Sequence, residues 1–95
     1  MPIYFNITEA RDYLFKNKIV YTLKDRRRRH LDKIQIRSGS YRKHKILGYG
    51  KISFIKSINS DNELLPYVKQ SGFDNIEDWR KKAGVGKHLY KVELI

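Results

Sequence analysis

Four consecutive arginines, Arg26, Arg27, Arg28 and Arg29, most limit how this chain can fold. Adjacent guanidiniums repel one another and stay charged, so the segment cannot enter a core. The chain holds 21 Lys and Arg against 10 Asp and Glu, too few acids to pair every cation. A β-like run lies on either side: Ile19-Val20-Tyr21-Thr22-Leu23 before, Lys33-Ile34-Gln35-Ile36 after. Two half-buried strands that present a dense cationic loop suit phosphate binding before anything else.

The charge is unevenly spread. Residues 24–45 hold ten of the 21 basic residues but only Asp25 and Asp32 among the acids, whereas residues 61–78 are acidic. One face or end of the molecule is therefore expected to be strongly positive and to meet a polyanion. Ninety-five residues make a single domain, 1–95, with a small core that sheet and helices must share. There is no cysteine, which removes disulfides and thiolate metal sites and fits a reducing, cytoplasmic compartment. His30, His44 and His88 are scattered, so no metal site is expected, and no cofactor is implied. No apolar run approaches the roughly 18 residues of a membrane span. The first residues also lack the pattern of a signal peptide.

Along the chain, Pro2-Ile3-Tyr4-Phe5 reads as a first strand. Asn6 with Glu9 has capping-box spacing, and the helix that follows, to about Lys16, carries Ala10, Tyr13 and Leu14 on one side. Asn17 and Lys18 mark its end. After the two strands around the arginines, Arg37-Ser38-Gly39-Ser40 signals a turn and Arg42-Lys43-His44-Lys45 forms a second basic cluster. From Lys51 to Ile58, Ile52 and Phe54 alternate with Lys51 and Ser53, as in a half-buried antiparallel strand. Gly48 and Gly50 before it predict a bulge or a close backbone approach. Ser60 with Glu63 has capping-box spacing, but Pro66 restricts the expected helix to about Pro66 to Gln70. Asp74 with Glu77 opens a helix from Asn75 to Lys82, with Ile76 and Trp79 on one face. Leu89 to Ile95 is a final strand expected inside the sheet. About five strands and two or three short helices, without strand–helix alternation, predict an α+β fold: a small, mostly antiparallel β-barrel with helices on one side.

Three stretches carry a family resemblance: Val20-Tyr21-Thr22-Leu23-Lys24, Leu31-Asp32-Lys33-Ile34-Gln35-Ile36, and Ser71-Gly72-Phe73-Asp74-Asn75-Ile76-Glu77-Asp78-Trp79. Their order and spacing resemble the ASCH domains of the PUA-like β-barrel superfamily across nearly the whole chain. The resemblance implies RNA binding through a cleft between barrel and helices. Some ASCH relatives are ribonucleases or amidohydrolases acting on acetylated cytidine. Of the amidohydrolase Lys, Thr and Glu pattern, Thr22 matches, Lys18 is displaced by one residue, and the Glu position falls at Ser71 or Gly72. Leu31 stands where the family has Gly.

The expected partner is thus a nucleic acid, RNA in preference to DNA, with no membrane role. Its backbone would be held by Lys24, Arg26, Arg27, Arg28, Arg29, Arg37, Arg42, Lys43 and Lys45. The implied cleft would be lined by Lys18, Tyr21, Thr22, Ser71 and Tyr90. On a strand Thr22 and Lys24 share one side, and Tyr21 and Leu23 the other. Tyr41, Tyr49 and Tyr90 have ring faces on which bases stack, although tyrosines in sheets are more often half-buried structural residues. Phe73 and Trp79 are core candidates. A ribonuclease needs a general base and acid, for which His30 and His44 are candidates. A module that docks an acidic protein is the third class the charge allows.

Overall fold

A computed structural model describes residues 3–24, 31–40, 42–84 and 86–95, except the side chain of Leu31. Five strands form one sheet in the order β1-β3-β4-β5-β2. They are β1 (Ile3–Tyr4), β2 (Ile19–Lys24), β3 (Leu31–Gly39), β4 (His44–Ser57) and β5 (His88–Leu94). Three neighbouring pairs are antiparallel, and the two-residue β1 pairs with β3 in parallel, so the sheet is mixed. Helix α1 (Thr8–Asn17), a 3₁₀ helix (Asp61–Gln70) and α2 (Ile76–Ala83) complete the α+β fold. As expected, the last strand lies inside the sheet, between β4 and β2.

The sheet curls into a half-barrel with β1 and β2 at its edges. Its inner side carries Ile3, Phe5, Val20, Ile34, Ile36, Ile52, Tyr90 and Val92, capped by Ala10 and Leu14 of α1. The curl brings the edges together: Lys24 Nζ donates to the Tyr4 carbonyl at 3.2 Å and lies 5.5 Å from the Phe5 ring centroid. Bulges help the curl, because an extra residue bends a strand. In β4, Ile36 pairs with Gly48 but Arg37 with Ile46, leaving Leu47 unpaired beside the glycines that predicted it. Gly50 also makes a close approach. A Cβ there would lie 2.8 Å from the Glu93 carbonyl oxygen and 2.9 Å from Ile36 Cδ1.

A second cluster packs on the outer side of β2 and β5: Leu23, Leu89, Ile58, Leu64, Phe73 and Trp79. The 3₁₀ helix and α2 supply Leu64 and Trp79 to it. Burying Trp79 to 2 % exposure makes it a core residue, as its helix position predicted. The helices therefore settle on β2 and β5 but on both faces, α1 inside and the 3₁₀ helix and α2 outside, rather than on one side as expected. The outer side of β3 and neighbouring β4 is left to solvent over much of its length.

Several local expectations are corrected. Asn6 does not cap α1; the N-cap is Ile7, with no side-chain cap. The Asn6 amide instead exchanges two hydrogen bonds with the Gly39 backbone, at 2.9 and 2.7 Å, and so ties the α1 entry to the end of β3. At the other end of α1, Lys18 rather than Asn17 takes the left-handed conformation, with φ 67°. Helix α2 is capped one residue later than expected, by Asn75, whose side chain accepts from the Asp78 amide. The Ser60–Glu63 box does form, and the 3₁₀ helix starts there, so Pro66 lies within it rather than opening it. A 3₁₀ helix lacks the i to i−4 bond that proline would break. Strand β3 continues through the predicted turn to Gly39, and beyond it the Ser40 amide donates to the Lys43 carbonyl.

Candidate nucleic-acid interface

The β3–β4 hairpin is the most cationic element described. Its strands carry Lys33, Arg37, Lys45, Lys51 and Lys56 against Asp32 alone. Strand alternation sorts these side chains. Ile34 and Ile36 point inward, so Lys33, Gln35 and Arg37 point outward, and Tyr49 and Lys51 of β4 share that outer face. Side-chain contacts agree. Lys33 Nζ lies 5.0 Å from the Tyr49 ring centroid, and Gln35 Nε2 lies 3.5 Å from the Tyr49 hydroxyl. Arg37 Nε donates to Gln35 Oε1, and its Nη1 donates to the Tyr4 hydroxyl at 3.3 Å. On β5, Lys91 pairs with Glu93 at 3.3 Å, which offsets the acid on this face. Tyr49 is 44 % exposed.

The hairpin's tip extends the same charge. Arg42, Lys43 and Lys45 are exposed, and the turn is held by the Ser40 amide donating to the Lys43 carbonyl at 2.7 Å. His44 lies edge-on to Tyr4, with ring centroids 6.5 Å apart. In the sequence, the arginine run and His30 immediately precede Leu31, the first residue of β3. Arg26, Arg27, Arg28, Arg29, His30 and Tyr41 themselves lie outside the described residues.

The residues predicted for a cleft are not gathered on an open surface. Thr22 is 5 % exposed, and Ser71 and Tyr90 are fully buried. Ser71 Oγ donates to the Val68 carbonyl at 2.6 Å and accepts from the Phe73 amide at 3.1 Å, which makes it a turn-forming hydroxyl. Tyr90 packs edge-on against Phe54, with centroids 5.5 Å apart. Tyr21 points away from Thr22, as strand alternation predicted, and lies 4.9 Å from the Tyr67 ring. Lys18 is exposed at the end of α1, where its carbonyl accepts from the Leu94 amide. Lys24 is half-buried between the sheet edges rather than presented to solvent.

A groove of 360 Å³ lies elsewhere, lined by Glu9, Gly72, Phe73, Asp74, Asp78, Lys81 and Lys82. Its mixed charge does not suit a polyanion. Among the described residues, no group of three His, Cys, Asp or Glu is placed to hold a metal ion. His88 Nδ1 and Ser57 Oγ are hydrogen-bonded at 2.9 Å. No helix of the described residues is long and apolar enough to cross a membrane.

Sequence reasoning named Arg37, Arg42, Lys43 and Lys45 but missed Lys33, Gln35 and Lys51. The signal was present as period-two spacing: Lys33, Gln35 and Arg37 on one strand, Tyr49 and Lys51 on the next. A scan against protein-family models finds no match to this chain, and searches of curated proteins and of solved structures find none either.

Proposed function

We propose that this protein is a small RNA-binding module of PUA-like type that holds its ligand on the outer face and tip of the β3–β4 hairpin. The observation that carries the reading is the outer-face array of exposed Lys33 and Lys51 with the half-buried Arg37, continued by Arg42, Lys43 and Lys45 at the tip. Cations spaced along a strand match a phosphate backbone, and the charge imbalance supplies the long-range attraction. The small, curled five-stranded sheet with three helices packed on it supports the PUA-like part. Preference for RNA over DNA rests on the sequence resemblance to the ASCH domains. The contact surface proposed here is the hairpin face, not a cleft at Thr22 and Ser71.

The test compares two triple variants of equal charge change by fluorescence anisotropy on single-stranded RNA. One is Lys33→Glu, Lys43→Glu and Lys51→Glu. The other is Lys16→Glu, Lys69→Glu and Lys82→Glu, at exposed positions on the helices. The first should lower the logarithmic salt slope by about 2, at about 0.7 per lost phosphate contact. The second should change it much less. Equal effects would remove the hairpin from the account. Cleavage of the RNA in the same tubes would favour the ribonuclease alternative.

A further inference from the structure

We infer that Tyr49, with Gln35 and Lys33, forms a stacking subsite for one unpaired nucleobase on the hairpin face. The inference rests on the RNA-binding reading and specifies what kind of RNA is bound. Phosphate contacts alone do not distinguish single strands from duplexes, whereas an exposed ring does, because paired bases within a helix keep their faces stacked.

Three observations place the subsite. First, the ring stands on a fixed base. The Tyr49 carbonyl accepts from the Ile95 amide at 3.1 Å on one side, and Tyr49 pairs with Gln35 on the other. The next residue, Gly50, is pressed against β5 and the inner core too closely for any Cβ. The backbone beneath the ring therefore has little freedom to shift. Second, the neighbouring amide is oriented. Gln35 Oε1 accepts from Arg37, and Arg37 is braced on the Tyr4 hydroxyl, so the Gln35 Nε2 donors are directed toward Tyr49. One Nε2 N–H donates to the Tyr49 hydroxyl, and a base stacked on the ring would meet the second with an acceptor on its edge. Third, Lys33 lies over the ring. An exposed cation–π contact is weaker than base–aromatic stacking, so a base displaces the ammonium, which then swings onto the flanking phosphate.

The experiment measures anisotropy of the full chain with a single-stranded ten-nucleotide RNA and with an RNA hairpin of the same charge. Tyr49→Ala should weaken single-strand binding about tenfold, leave the salt slope unchanged, and barely affect the duplex. Tyr49→Phe should stay within about twofold of the parent, because it keeps the ring face. Thermal melting of both variants establishes that they fold. If Tyr49→Ala binds the single strand like the parent while the hairpin charge variant loses affinity, the subsite is wrong and the phosphate-binding reading stands. If the parent itself binds neither RNA, both fall, and an acidic protein becomes the partner to pursue.

Discussion

Replacing Gly72 by alanine tests how the two halves of the core are joined. Gly72 has φ +90°, and a Cβ there would lie 2.4 Å from the Glu9 carbonyl oxygen and 2.8 Å from its carbon. These are backbone atoms of α1, so relief requires the helix to move, and with it the buried Ala10 and Leu14. Left-handed backbone costs an L-residue about 1–2 kcal/mol. Overpacking against a rigid neighbour adds about 1–3 kcal/mol. Lower entropy of the unfolded chain returns about 0.4–1 kcal/mol. At mid-range the net is a loss of about 3 kcal/mol, or a fall in Tm of about 12–24 °C for a domain of this size. Gly84 supplies the control, since it has φ +65° and no atom within 4 Å of a built Cβ. Gly84→Ala carries its own backbone strain, at φ 65° and ψ −129°, without the clash, and should cost about 1–2 kcal/mol. Calorimetry of the two variants separates the contributions. If Gly72→Ala melts no lower than Gly84→Ala, the proposed packing of the Gly72 loop against α1 is wrong.

Two further predictions concern the ties that hold the hairpin and the 3₁₀ helix. Glu63 accepts from the Asn59 and Ser60 amides at 2.7 and 2.8 Å and pairs with Lys56 at 2.6 Å, with its pKa lowered to about 2. The lowered pKa follows from the Lys56 hydrogen bond first and the two amides second. Its stabilisation is present above the ordinary carboxylate pKa of about 4.3 and lost as pH falls through about 2. The Tm difference between parent and Glu63→Gln should thus be largest above pH ~5 and shrink toward pH ~2; a difference that does not shrink would contradict this. Asn6→Ala removes both hydrogen bonds to Gly39 and should cost about 1 kcal/mol. Amide exchange at Gly39 should rise more than at Ile52 in the middle of β4.

The parts of the fold that depend on local spacing were legible in the sequence. Alternation correctly put Thr22 and Lys24 on one side of β2 and Tyr21 on the other, and the glycines at 48 and 50 correctly marked a bulge and a close approach. The misreadings have long-range causes. Asn6 has the chemistry of a cap, but its amide is engaged by Gly39, 33 residues away, which no local pattern records. Thr22 and Tyr90 have groups suited to a cleft, but β2 and β5 are the strands that helices cover, so both residues are buried. Tyr49 carries the same chemistry on a strand the helices leave bare. Which tyrosine faces water was decided by helix placement, and that is a property of the assembled fold.

Amide chemical-shift mapping of the ¹⁵N-labelled protein during titration with single-stranded RNA tests the central claim most directly. Salt-sensitive shifts should concentrate at Lys33, Gln35, Arg37, Tyr49 and Lys51 and around the hairpin tip at Arg42 and Lys43. The amides of α2 and the 3₁₀ helix should stay close to their free positions. Shifts centred on Glu9, Gly72 and Lys81, or none at low salt, would contradict it.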